Sequence, residues 1–192
     1  MKKLFAILVL VCGCAAWAQA QNNPQAPAMP PTAYADSIKP NPADVQSTDA
    51  IVAALYNVIS GPAGQARDWN RFRSLFAREA RLVAHQKMPD GKFVTVPMTP
   101  DGYIKRATAR FQTNGFFEKE IARRTERFGN IVHVFTTYEA RENATDEKPM
   151  IRGINSIQLL NDGTRWYVLT VFWQAESPDT QLPDKYLQTV KE

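Results

Sequence analysis

With 192 residues, 44% of them apolar, the chain can bury one sizeable core and carry extensions on either side of it. Its formal charge of +4, carried on interspersed acids and bases, falls to +2 without Lys2 and Lys3, too little for a nucleic-acid partner. Cys12 and Cys14 both sit in the first apolar stretch. A chain starting at Gln21 therefore has no disulfide framework, no cysteine-ligated metal and no thiol nucleophile.

Residues 1–20 have the three-part form of an export signal. Lys2-Lys3 precede the apolar run Leu4–Val11, and Ala18-Gln19-Ala20 has the small-x-small pattern of a cleavage site. Cleavage after Ala20 is expected, giving a periplasmic or secreted protein. A second processing site is legible: Val11-Cys12-Gly13-Cys14 resembles a lipobox, which would place a lipid anchor on Cys14. The apolar run is far shorter than the roughly 20 residues a spanning helix needs, so no integral membrane span is expected. Residues 21–45, rich in Pro, Ala, Asn and Gln, read as a flexible leader, because they cannot bury enough surface to offset their ordering entropy.

The folded domain is expected over 46–177. Ser47-Thr48-Asp49 offers N-cap oxygens to a helix through Ile51, Leu55, Val58 and Ile59, which Gly61-Pro62-Ala63-Gly64 ends. Asp68 caps a short helix with Trp69, Phe72, Leu75 and Phe76 on one face. Arg71, Arg73 and Arg78 lie on its other side and read as a solvated face. Arg81–Lys87 and Phe93–Met98 form a hairpin, and Thr99-Pro100 opens a third helix carrying Tyr103, Ile104, Ala107 and Phe111. Phe116–Phe128 reads as a charged strand with Phe117, Ile121 and Thr125 on one face. Three long strands come next, Ile131–Arg141, Met150–Leu160 and Arg165–Glu176, the last two joined through Asp162-Gly163. The tail, 178–192, is expected to drape over an edge. Helices, a hairpin, a helix and then long antiparallel strands make an α+β fold, with a curled sheet wrapped on the N-terminal helices around a conical cavity.

The residues Asp68-Trp69, Phe72, Leu75-Phe76, Ala80-Arg81-Leu82, Phe128-Gly129-Asn130, Phe135–Glu139, Arg152–Leu159 and Trp166 with Val171-Phe172-Trp173 carry a resemblance. Over about Ser47 to Glu176 the chain resembles the nuclear transport factor 2-like, or SnoaL-like, superfamily, and within it an exported bacterial subgroup. The resemblance implies a cone-shaped fold, a pocket and dimers through the outer sheet face. It implies no single reaction: members include isomerases with an acidic base and an oxyanion hole, dehydratases, epoxide hydrolases, cyclases and plain binders.

Two sets of site residues are legible. His85 on the first hairpin strand and Asp68 on the preceding helix could form a general-base pair. Tyr103, Tyr138, Asn155 and Trp173 combine apolar bodies with polar tips, as pocket walls do, and Arg152 could meet a carboxylate ligand or pair with Glu139 or Glu142. His85 and His133 lie far apart without a carboxylate signature, so no metal is expected, and the absence of a phosphate loop or Rossmann repeat leaves no cofactor. The leading expectation is a binding domain for a small organic ligand. A cofactor-independent lyase, isomerase or cyclase using His85 and Asp68, or a dimerising interaction module, are the alternatives.

Overall fold

The computed structural model describes residues 32–35 and 37–188. The export signal, the Cys14 anchor site and residues 21–31 of the leader lie outside them. Among the described residues, four helices and six strands run in order: α1 (Pro42–Val45), α2 (Thr48–Ile59), α3 (Trp69–Ser74), β1 (Phe76–Lys87), β2 (Phe93–Met98), α4 (Pro100–Phe111), β3 (Phe117–Phe128), β4 (Ile131–Arg141), β5 (Ile151–Asn161) and β6 (Trp166–Ala175). A short 3-10 turn at Asp184–Tyr186 ends the described chain. Ser47, Asp68 and Thr99 cap α2, α3 and α4 through side-chain oxygens, as their positions in the sequence imply.

The strands form one open sheet in the order β2-β1-β6-β5-β4-β3. Every neighbouring pair is antiparallel except β1 with β6, which pair in parallel, so the sheet is mixed. The parallel join is a matter of connectivity: β1 leaves the helices from Phe76, and β6 returns beside it after three antiparallel reversals. Its inward rows are set by strand period. Thr136, Asn155, Trp173 and Ala84 stand opposite one another across four strands, and Val134, Ile157, Val171 and Leu82 form the next row.

α2 lies under these rows and is buried nearly all round, at Ile51, Val52, Ala54, Leu55, Tyr56, Val58 and Ile59. It is the central helix of the core. Ile51, Phe72, Leu75, Phe76, Val134, Ile157 and Val168 are all below 2% exposed. Burying such side chains contributes about 1.5–3 kcal/mol each.

Three expectations change here. Residues within the expected flexible leader are packed on the domain: Val45 is buried, and Asp44 pairs with Arg71 at 2.7 Å. Tyr34 also donates its backbone N–H to Phe76 O and its hydroxyl to Asp101. The arginines of α3 are ties rather than a solvated face. Arg71 bridges Asp44 and Asn57, and Arg73 reaches Asp101. The tail, expected over an edge, lies across the outer face of the edge strand β3 and its neighbour β4, where Thr137 and Arg124 donate to Tyr186 O and Lys185 O and Phe135 meets Tyr186 at 5.1 Å.

The turn after α2 closes on a buried cation. Arg67 donates to the carbonyls of Ile59, Gly61, Pro62 and Gln65, with its guanidinium 4.8 Å from the Phe111 ring centroid. A Cβ at Gly61 would lie 2.8 Å from Arg67 Cζ, so glycine is required for that approach. Arg67→Leu should leave those carbonyls unpaired and cost about 2–3 kcal/mol. A urea unfolding curve with an unchanged midpoint would refute that role.

Candidate functional site

Between α2, α4 and the inner face of the sheet lies a cavity of about 280 Å³. Its walls are mostly apolar, from Leu55, Phe72, Ile151, Val171 and Trp173 among others, with a few polar groups. That volume is near the lower end for small-molecule sites, which run about 300–1,000 Å³.

Among the described residues, Glu118 is the one acid lining it. It stands on the second residue of β3, where the end of α2 is stitched to the strand. Gly61 and Phe116 exchange both backbone hydrogen bonds, at 2.7 and 2.9 Å. Ser60 Oγ donates to Tyr56 O and accepts from Glu118 N at 3.0 Å. This seam points the Glu118 side chain inward. The residue keeps some accessible surface because it borders the cavity, yet its carboxyl is surrounded by protein as an interior group is. Burial pushes its pKa up to about 7, against a smaller lowering by the Asn155 hydrogen bond.

Asn155 orders the polar floor. Its amide nitrogen donates to Glu118 Oε1 at 3.2 Å and to Tyr56 Oη at 3.0 Å. Tyr56 Oη also shares a hydrogen bond with Thr136 Oγ1, 3.1 Å away, in which either hydroxyl can donate. The chain Glu118–Asn155–Tyr56–Thr136 therefore fixes one carboxylate oxygen. Oε2 has no hydrogen-bond partner among the described residues.

The Tyr103 and Tyr138 hydroxyls also line the cavity and have no hydrogen-bond partner among the described residues. Neither is sealed off, since no buried side-chain polar atom among them is left unpaired. Burial first, and the Glu118 charge second, push both phenols above the ordinary tyrosine range, so they stay protonated donors. Tyr103 is held by stacking on Phe72 at 5.3 Å and edge-on to Trp173 at 6.5 Å. Tyr138 is held by Gly153, whose added Cβ would meet its hydroxyl at 2.7 Å and Gln174 O at 2.4 Å.

Of the residues singled out from sequence, Tyr103, Tyr138, Asn155 and Trp173 do converge on the cavity. The other three do not. Ala84 and Gln86 line it, so strand alternation turns His85 to the opposite face, where its Nδ1 meets Thr95 Oγ1 at 2.9 Å and its ring stacks on Phe93. Asp68 is spent on capping α3, accepting from Arg71 N. No hydrogen bond or ion pair joins it to His85, and the two do not form a general-base pair. Arg152 stands opposite Glu139 in register but makes its ion pair with Glu176, at 2.7 Å. His133 bonds Ser156 on the outer face.

Neither Glu118 nor Tyr56 stands out in the sequence. Both are masked by pattern: Glu118 by the dense charge of β3, Tyr56 by neighbouring an apolar helix face that is complete without it. A bulge between Glu120 and Ala122 also breaks the alternation of β3. The available signal is Phe116, two residues before Glu118 on the same side of the strand. Among the described residues no cluster of three potential ligands could hold a metal ion, and no helix is long and apolar enough to cross a membrane.

If Glu118 holds its proton to about pH 7 when folded but releases it near pH 4.5 when unfolded, stability is full below that window. It should fall as pH rises from 4.5 to 7, by about 2 kcal/mol after allowing for cavity solvent, and stay level above. Glu118→Gln should flatten the curve. Equal pH dependence of the two proteins in chemical denaturation would contradict the assignment.

No protein-family model and no curated protein matches the chain. Solved structures do. One from Nostoc punctiforme, a protein of unknown function with a cystatin-like fold, is similar at TM-score 0.50 and 11% identity, over 67% of this chain and 87% of that one. An NTF2-like protein of unknown function from Shewanella baltica is similar at TM-score 0.43 and 13% identity, over 68% and 98%. A scytalone dehydratase candidate from Novosphingobium aromaticivorans is similar at TM-score 0.47 and 13% identity, over 72% and 88%. With an open six-stranded sheet packed on its helices, the chain has a cystatin-like fold.

Proposed function

We propose that the cavity takes one small, largely apolar molecule bearing a carbonyl, and that Glu118 moves a proton on it without a cofactor. One observation carries the reading: a carboxyl whose pKa lies near neutrality faces two phenol hydroxyls that have no hydrogen-bond partner among the described residues. A base tuned near the working pH is ionised often enough to act and basic enough to accept a proton. Glu118 Oε2 would take a proton from the carbon next to the carbonyl. The electron pair of that C–H bond moves to the carbonyl oxygen as an enolate forms. Tyr103 or Tyr138 donates a hydrogen bond to this oxygen, and the apolar wall strengthens it. Return of the proton to another carbon gives an isomer; loss of a leaving group gives a lyase. The acidic base replaces the histidine pair expected from the sequence.

Export through residues 1–20, with cleavage after Ala20, is part of the same proposal, as is a homodimer through the outer face, where Phe93 and Phe172 are 49% and 43% exposed. The intact mass of protein recovered from a cell envelope distinguishes a chain starting at Gln21 from one lipidated on Cys14. A mass matching the uncleaved chain would remove export from the proposal.

The catalytic part is tested with 3-cyclohexen-1-one, whose conversion to the conjugated ketone and deuterium uptake from D₂O both require the proposed step. The rate should rise with pH through about 7 as Glu118 ionises. Glu118→Gln should lower it by about 10²-fold or more, and Tyr103→Phe with Tyr138→Phe by about 10². Turnover no faster than buffer, or unchanged by Glu118→Gln, would overturn the proposal.

A further inference from the structure

Arg106 and Arg110 stand one turn apart on α4, and both are exposed residues that also line the cavity. Both side chains therefore border the cavity while reaching solvent, at its rim. Other arginines are matched to acids, as Arg71 is to Asp44, Arg123 to Glu120 and Arg152 to Glu176, or to carbonyls, as Arg67 and Arg124 are. Neither rim arginine makes an ion pair or a guanidinium hydrogen bond among the described residues. Arg110 only leans over the Phe116 ring, 5.6 Å from its centroid. Two forked donors left unmatched beside an apolar hollow fit a carboxylate that arrives with a ligand.

The position of Glu118 in the wall decides orientation. No ion pair ties it to either arginine, so the floor and rim of the cavity present separate charges of opposite sign. An anionic head is repelled by an ionised Glu118 and attracted to the rim. Between them the wall is apolar, through Ala107, Phe111, Phe116 and Trp173.

We propose that the ligand is an amphipathic organic acid. Arg106 and Arg110 hold its carboxylate at the rim, and its apolar body reaches inward toward Glu118. The inference rests on the cavity being a small-molecule site, and it adds the charge and orientation of what enters.

The test compares two probes of one shape, 4-phenylbutanoate and 4-phenylbutan-1-ol, titrated into the full chain by calorimetry with tryptophan fluorescence as a second readout. The acid should bind at least about tenfold tighter than the alcohol, because a charge-assisted forked contact is present for one probe only. Arg106→Gln with Arg110→Gln should reduce acid affinity to that of the alcohol, and Arg106→Lys with Arg110→Lys should restore part of it. Thermal melts of both double variants control for folding. An alcohol that binds as tightly as the acid, or an acid preference that survives the glutamine pair, would overturn the inference while leaving the cavity reading intact. If neither probe binds, both fall.

Discussion

The seam between the end of α2 and the start of β3 is the constraint on which the site depends. A helix end leaves carbonyls without partners, and here they are taken up by Arg67 and by the backbone exchange between Gly61 and Phe116. Ser60 is bonded to the Glu118 amide, and the side chain of Glu118 lines the cavity. The same seam brings Tyr56 under the sheet, where Thr136 and Asn155 complete the floor. A structural stitch thus puts an acid in an apolar place.

The consequence of that placement is electrostatic. A carboxyl out of water, with a single amide for support, favours its neutral form, and its charge when present acts on the tyrosines around it. A glutamine would sit there without that penalty. A titrating group kept there against it, opposite hydroxyls free to donate, differs from the structural ion pairing elsewhere in the molecule. Arg123 with Glu120 and Arg152 with Glu176 are matched forks at 2.6 and 2.7 Å, with no cavity between the partners.

The two sides of the sheet divide the work. The inner face holds α2, the cavity and the tyrosines. The outer face carries His85, His133 and Phe135, and the tail lies across part of it at Tyr186. Side chains on β1 illustrate how little separates the sides, since Ala84 and Gln86 meet the cavity while His85 between them does not.

Much of the fold was legible in the chain because it is set locally. Ser47, Asp68 and Thr99 cap helices by their own side chains, Asp162-Gly163 turns a hairpin, and β2 and β4 end where their alternation ends. Pocket residues on regular strands and on α4, namely Tyr138, Asn155, Trp173 and Tyr103, were legible for the same reason. Local pattern could not report the parallel pairing of β1 with β6, the packing of Asp44 on Arg71, or the inward turn of Glu118 beside a bulge. These join residues tens of positions apart, and their energies exist only once the partners meet. Sequence periodicity alone determined which segments are helices and strands; tertiary contact decided which acid lost its water, because that depends on what packs around it.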